Sequence, residues 1–268
     1  MKLNHLIIVC ITIFIWIFSL PLLILLSFFF SPVLFPLLIL SFILSIYIIN
    51  LKPRPQSLLR DFICTFQLSY WFPCNRITVQ QTTMIAVHPH GLLSCGALAG
   101  IHFVPGSQTI FCVAPILYFV PLLGHCLNLI GCIPATRASM ESALHAGYSL
   151  IVVPGGVPEL VLTETKDDTE FYLRFGFLKL AEKFKVPVLS VVVKGETATY
   201  NIIQLPCLRN RVRLSWFLNI PCMFPLVSGY YGTLLPKRVQ LRLLNQTFTT
   251  VPNRTEYEQK LKRKSHKE

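Results

Sequence analysis

Between residues 6 and 49 the chain has no Lys, Arg, Asp, Glu or His at all, and over its 268 residues only 13% are charged against 53% hydrophobic. A soluble domain carries about 25% charged residues, so part of this chain is unsuited to a water-facing surface. The nine cysteines are scattered, odd in number and never arranged C-x-x-C, which argues against both a disulfide framework and a zinc knuckle. No G-x-S-x-G occurs, which argues against the nucleophile elbow of a serine hydrolase. Internal repeats are absent, and low complexity is confined to the N-terminal apolar run.

That run divides into two arms, residues 6–30 and 33–49, with Ser31, Pro32 and Pro36 between them. About 20 helical residues rising 1.5 Å each cross a ~30 Å hydrocarbon layer, and proline interrupts the helical ladder. A transmembrane or re-entrant helical hairpin is expected over residues 1–50, followed by a domain over 51–268. The run is too long for the apolar region of a cleaved secretory signal. Lys2 precedes it and Lys52, Arg54 and Arg60 follow it, which the positive-inside rule reads as both termini in the cytosol. The sequons at Asn245 and Asn253 would then stay unglycosylated. The net charge of +12 fits anionic lipid headgroups and an anionic substrate more simply than nucleic acid. The basic tail from Arg254 reads as a solvated end.

Past the Lys52-Pro53-Arg54-Pro55-Gln56 linker, apolar periodicity alternates between strand and helix. Strands are expected over 84–87, 109–114, 150–153, 187–193 and 239–244. Helices are expected over 92–103, 118–130 and 172–184, with a short one capped by Ser139 and closed before Gly147. Strands separated by helices predict an α/β fold, a mixed sheet covered by helices.

Three local features carry chemistry. His88-Pro89-His90-Gly91 ends a strand and precedes a helix, where α/β sheets place their sites; imidazole is suited to proton transfer near neutral pH. Its alternatives are a purely structural pair or a metal site, for which Cys95 and His102 are near but the spacing is wrong. Val153-Pro154-Gly155-Gly156-Val157-Pro158-Glu159 runs from a strand into a Gly-rich turn, whose backbone N–H groups suit an oxyanion or phosphate; the alternative is an ordinary tight turn. Arg174 and Lys179 lie at a helix start, where two cations otherwise form a solvated face.

In this order, and behind an apolar hairpin, these pieces resemble the diacylglycerol acyltransferase type 2 family, which includes monoacylglycerol and wax-ester acyltransferases. The resemblance spans Tyr70-Trp71-Phe72-Pro73, similar to a Tyr-Phe-Pro motif with Trp71 inserted, then His88-Pro89-His90-Gly91 with Gly96-Ala97 behind it. It continues through Arg137-Ala138-Ser139 to Gly156 and Glu159, through residues 174–181, and through Val186-Pro187 to Glu196. Lys194 stands where the family usually has Phe, and the stretch after residue 236 is short.

The resemblance implies an acyltransferase-like domain that moves a fatty acyl group from acyl-CoA to the hydroxyl of diacylglycerol, monoacylglycerol or another lipid alcohol at the endoplasmic reticulum membrane. Acyl-CoA is then a co-substrate, with no other cofactor and no metal. His90 is the expected general base, and His88 is expected to orient it or polarise the carbonyl. Related glycerolipid acyltransferases pair His with an Asp five residues on, where this chain has Cys95, so Glu159 is expected to hold the imidazole instead. Gly91, Gly155 and Gly156 are the expected backbone contributors, and Arg137, Arg174 and Lys179 the expected contacts for the CoA phosphates. Membrane lipids are expected partners, nucleic acid is not, and homo-oligomerisation stays open. The rival reading is a membrane-shaping or scaffold protein on a degenerate acyltransferase fold.

Overall fold

A computed structural model describes residues 71–75, 77, 79, 81–97, 109–119, 123–165, 167–203, 205–218, 226–229 and 236–266, and Leu40 before them. Apart from Leu40, the expected hairpin lies outside the described residues. Among the described residues no helix is long and apolar enough to cross a membrane.

Eight strands are described: β1 Met84–His88, β2 Thr109–Val113, β3 Cys132–Pro134, β4 Ser149–Val152, β5 Val188–Lys194, β6 Asn201–Ile203, β7 Leu226–Ser228 and β8 Arg242–Phe248. Six of them form one sheet in the order β3-β2-β4-β1-β5-β8, and β6 and β7 form a separate antiparallel pair. β1 lies between β4 and β5 and is parallel to both, while β8 closes the edge antiparallel to β5. The expected mixed α/β sheet is therefore present. All five residues of β1 are buried, as a short apolar run must be when both faces of a parallel sheet are covered.

Alternation assigns the two faces. Ile85 and Val87 point into a core with Phe111, Ile151, Leu189, Val191, Tyr118 and Leu127. Met84 and Ala86 point the other way, into a core with Leu150, Val188 and Val192. Helices α2 Arg137–His145, α4 Gly176–Phe184 and α6 Arg254–Ser265 cover that second face through Ala143, Leu144, Phe177, Leu178, Tyr257 and Leu261. The first face carries a 3-10 turn, Pro115–Phe119, and α1 Leu123–Leu129; of the helix expected over 118–130, Tyr118 and Phe119 belong to that 3-10 turn.

Other boundaries moved for local reasons. Thr136, not Ser139, caps α2: its Oγ1 accepts from the Ser139 N–H at 3.3 Å, so the helix starts earlier than expected. α4 begins at Gly176 rather than 172, after a segment of irregular backbone. The helix expected over 92–103 is a turn at 91–93 and a helical start at 95–97, and its remainder lies outside the described residues. The Gly-rich turn runs straight into α3 Gly156–Leu162, and α5 Leu208–Leu218 packs on it.

The C-terminal tail is a helix rather than a solvated end. Asn253 caps α6, its Oδ1 accepting from the Glu256 N–H at 2.8 Å. Tyr257 and Leu261, four residues apart and so on one face, are buried, and Lys262, Arg263 and Lys264 sit in the last turn, where cations favour the helix dipole.

Candidate active site

The sheet presents His88-Pro89-His90-Gly91 at the carboxyl end of its central strand. His88 shares the parity of Met84 and Ala86, so its ring enters the core that α6 covers. It is fully buried, 2.9 Å from the Tyr257 hydroxyl through Nε2 and edge-on to Phe171 with ring centroids 5.6 Å apart. Burial lowers its pKa from 6.5 to about 3, so the ring is neutral. His88 was expected to orient His90 or polarise a carbonyl. The structure instead turns it inward, without a hydrogen bond to His90.

His90 is half-buried, and its Nδ1 lies 2.8 Å from the carbonyl oxygen of Gly91 and 3.2 Å from Ser94 Oγ. A carbonyl can only accept, so at that distance Nδ1 carries the proton and Nε2 keeps a free lone pair. Among the described residues Nε2 has no hydrogen-bond partner. Burial, the largest influence, pulls the His90 pKa below 6.5 against the opposing effect of the Gly91 carbonyl, so the neutral base predominates near pH 7.

Glu159 does not hold the imidazole, contrary to expectation. Its Oε2 accepts the backbone N–H of His90 at 3.1 Å and its Oε1 that of Tyr172 at 3.4 Å. The carboxyl is almost fully buried, and burial pushes its pKa up to about 8 although both N–H bonds favour the charged form. A Cβ on Gly155 would fall 1.8 Å from Glu159 Oε2, so glycine there permits the carboxylate to reach His90. Gly156 has φ +57° and open space around its Cβ position, but its N–H is engaged by the Val153 carbonyl at 3.3 Å. Gly156 is thus a turn former, and not a free donor for an oxyanion.

A second buried glutamate, missed as a site residue, braces the other side of the turn. Glu196 accepts the N–H groups of Cys95 and Gly96, each at 2.7 Å. Gly91 has φ +60°, and a Cβ there would lie 2.3 Å from Glu196 Oε1, so no other residue fits both the left-handed backbone and the carboxylate. Burial raises Glu196 to about 8 against those two bonds. Asp168 in turn accepts from the Gly195 and Thr197 N–H groups at 2.7 and 3.0 Å, which fixes the loop that carries Glu196. The His-Pro-His-Gly turn is held between two buried carboxyls and needs neither on the imidazole.

The three expected phosphate-binding cations fare differently. Arg137 is exposed and its Nε lies 2.8 Å from Glu141, which Lys183 of α4 also meets at 2.9 Å. Lys179 lines a cleft of about 310 Å³ with Phe175, Glu182, Asn253 and Arg254. Arg174 is exposed in the segment before α4. No described contact joins the three.

A family model described as diacylglycerol acyltransferase matches residues 27–238. The chain is 29% identical over 128 residues to Diacylglycerol O-acyltransferase 1 of Eremothecium gossypii, covering 44% of this chain and 28% of that protein. It is 28% identical over 168 residues to Diacylglycerol O-acyltransferase 2-like protein 6 of Mus musculus, covering 55% and 49%. It is 24% identical over 217 residues to Diacylglycerol O-acyltransferase 1 of Schizosaccharomyces pombe, covering 75% and 60%. The matches span between about a quarter and three fifths of these relatives' lengths. Among solved structures, the 1-acyl-sn-glycerophosphate (LPA) acyltransferase PlsC from Thermotoga maritima aligns with a TM-score of 0.45 at 14% identity, covering 90% of this chain and 93% of that one.

Proposed function

The chain belongs to the diacylglycerol acyltransferase family, and we propose that it is a membrane-bound, acyl-CoA-dependent O-acyltransferase that esterifies a neutral lipid alcohol, diacylglycerol or monoacylglycerol first among them. The observation that carries the mechanism is the bond from His90 Nδ1 to the Gly91 carbonyl, which reserves the Nε2 lone pair for substrate. A thioester is already activated, so no acyl-enzyme is required. His90 Nε2 takes the proton of the acceptor hydroxyl as its oxygen bonds to the thioester carbon. The tetrahedral intermediate then collapses with cleavage of the C–S bond, and the imidazolium returns the proton to the CoA sulfur. Gly91 and Gly155 are the backbone donors proposed for the oxyanion, because Gly156 is engaged with Val153. Lys179, Arg174 and Arg137 are proposed to meet the CoA phosphates.

A lipid setting at the endoplasmic reticulum, with both termini cytosolic, is part of the same proposal. The uncharged run over residues 6–49 supports it, and so does α5. That helix leaves Leu214, Trp216 and Phe217 exposed beside exposed Arg209 and Arg213, a composition favoured where headgroups meet acyl chains. The test is ester formation by membranes containing the full chain, given labelled acyl-CoA and a panel of lipid alcohols. Labelled di- or triacylglycerol above the background of membranes without the chain is expected. No ester with any alcohol would favour the scaffold reading instead.

A further inference from the structure

The family match ends at residue 238, but the chain continues through β8 into α6, and α6 carries a tyrosine to the first histidine of the catalytic turn. Parity explains the meeting. His88 on β1 and Ser190 on β5 both face the core that α6 covers, with Ser190 opposite Ala86 in the register. The Tyr257 hydroxyl lies 2.9 Å from His88 Nε2 and donates to Ser190 Oγ at 3.3 Å. The tyrosine ring is fixed among Phe175, Phe177 and Phe248, with centroids 6.5, 5.5 and 5.6 Å away. Among the described residues Tyr257 is the sole hydrogen-bond partner of the His88 ring, because the buried Nδ1 has none.

A tyrosine hydroxyl has one proton. With that proton on the bond to Ser190, His88 must donate Nε2–H to the tyrosine oxygen, and Nδ1 is the bare lone pair. This is also the cheaper way to leave Nδ1 unpartnered, since a buried N–H without an acceptor is the rarer defect in proteins.

We propose that Tyr257 is a positioning residue: by fixing His88 as its Nε2–H tautomer it clamps the first residue of the His-Pro-His-Gly turn, and thereby sets where His90, two residues on, presents its base. This rests on the acyltransferase reading for its catalytic consequence, and not for the Tyr257–His88 link itself.

The experiment uses the full chain in detergent or nanodiscs, with Tyr257→Phe keeping the ring and removing the hydroxyl. Loss of one buried hydrogen bond to the turn is expected to lower kcat about tenfold with KM for acyl-CoA unchanged. In a double-mutant cycle, His88→Ala with Tyr257→Phe should show the kcat of His88→Ala alone, because the tyrosine acts through the histidine. If the tyrosine only packs α6, Tyr257→Phe, which keeps the ring, would leave kcat per folded molecule unchanged and so overturn the proposal.

Histidine-labelled ¹⁵N NMR gives a readout independent of turnover. Wild-type His88 should show a protonated Nε2, and Tyr257→Phe should move that resonance. Ser190→Ala, which keeps the tyrosine and its packing, should leave the proton on Nε2, because the tyrosine oxygen still accepts it and Nδ1 has no acceptor. A wild-type or Ser190→Ala chain whose His88 is protonated at Nδ1 overturns the proposal even where Tyr257→Phe does not fold. A wild-type chain with no esterifying activity but the Nε2–H signature, altered in Tyr257→Phe, would remove the acyltransferase reading and leave the clamp standing.

Discussion

His90→Ala should lower ester formation by ~10² to 10⁴, equivalent to about 3–5 kcal/mol of barrier, the usual cost of removing a positioned base. Folding should be almost unaffected. The His90 side chain is half-buried and its hydrogen bonds are to the Gly91 carbonyl and Ser94 Oγ, whereas the contact that braces the turn is the His90 backbone N–H on Glu159, which alanine keeps. Turnover of labelled acyl-CoA per folded molecule, with thermal unfolding followed in parallel, separates the two. His88→Ala should differ in kind: it removes a fully buried ring from the core and should lower stability along with activity. Full activity in His90→Ala would exclude it as the base.

Arg211→Ala should destabilise the protein by about 3–5 kcal/mol, the cost of leaving a buried charge without its partner. The guanidinium meets Glu164 through two hydrogen bonds of 2.6 and 2.5 Å, with side-chain exposures of 6% and 1%. Arg211 also donates to the carbonyls of Leu205 and Pro206 at 2.8 and 3.0 Å, and Glu164 accepts the Leu205 N–H at 3.1 Å. The pair joins α5 to the 3-10 turn Thr163–Thr165 directly behind α3, and α3 carries Glu159. Its loss should therefore reach the catalytic turn, and activity should fall along with the melting temperature. Thermal unfolding of the full chain in detergent measures this. A melting curve like the wild type's would mean that the pair contributes nothing to the fold.

The parts of this architecture legible in the sequence are those set by periodicity over several residues. The apolar runs that became β1, β2, β4 and β5 read as strands because buried parallel strands are continuously apolar. The His-Pro-His-Gly turn stands out as a candidate site for the same reason, since it ends such a run. Less legible was which atom each charged residue addresses. Glu159 was correctly tied to His90, but to its ring rather than its backbone N–H, because one Oε2 contact depends on how α3 leaves the Gly155-Gly156 turn. Glu196 stood in a recognised block and still went unassigned: its partners, Cys95 and Gly96, are a hundred residues away in sequence and meet it only through the β1–β5 pairing.

The C-terminal helix did carry a signal. Asn253 with Glu256 three residues later is a helix-start pattern, and Tyr257 and Leu261 recur at helical spacing inside a basic tail. The charges outweighed that pattern in the reading of the tail as solvated. Tyr257 was overlooked with it.

The most direct measurement is the pH dependence of kcat/KM for ester formation by the wild-type chain. His90 must be neutral to act, and burial draws its pKa below 6.5 in the folded protein. Activity should therefore be at its plateau near neutrality and fall only as the pH drops through a value below the free imidazole's ~6.5. That acidic limb should vanish from the residual activity of His90→Ala. A rate that instead falls as pH rises through neutrality, or an acidic limb that persists in His90→Ala, would contradict His90 as the general base.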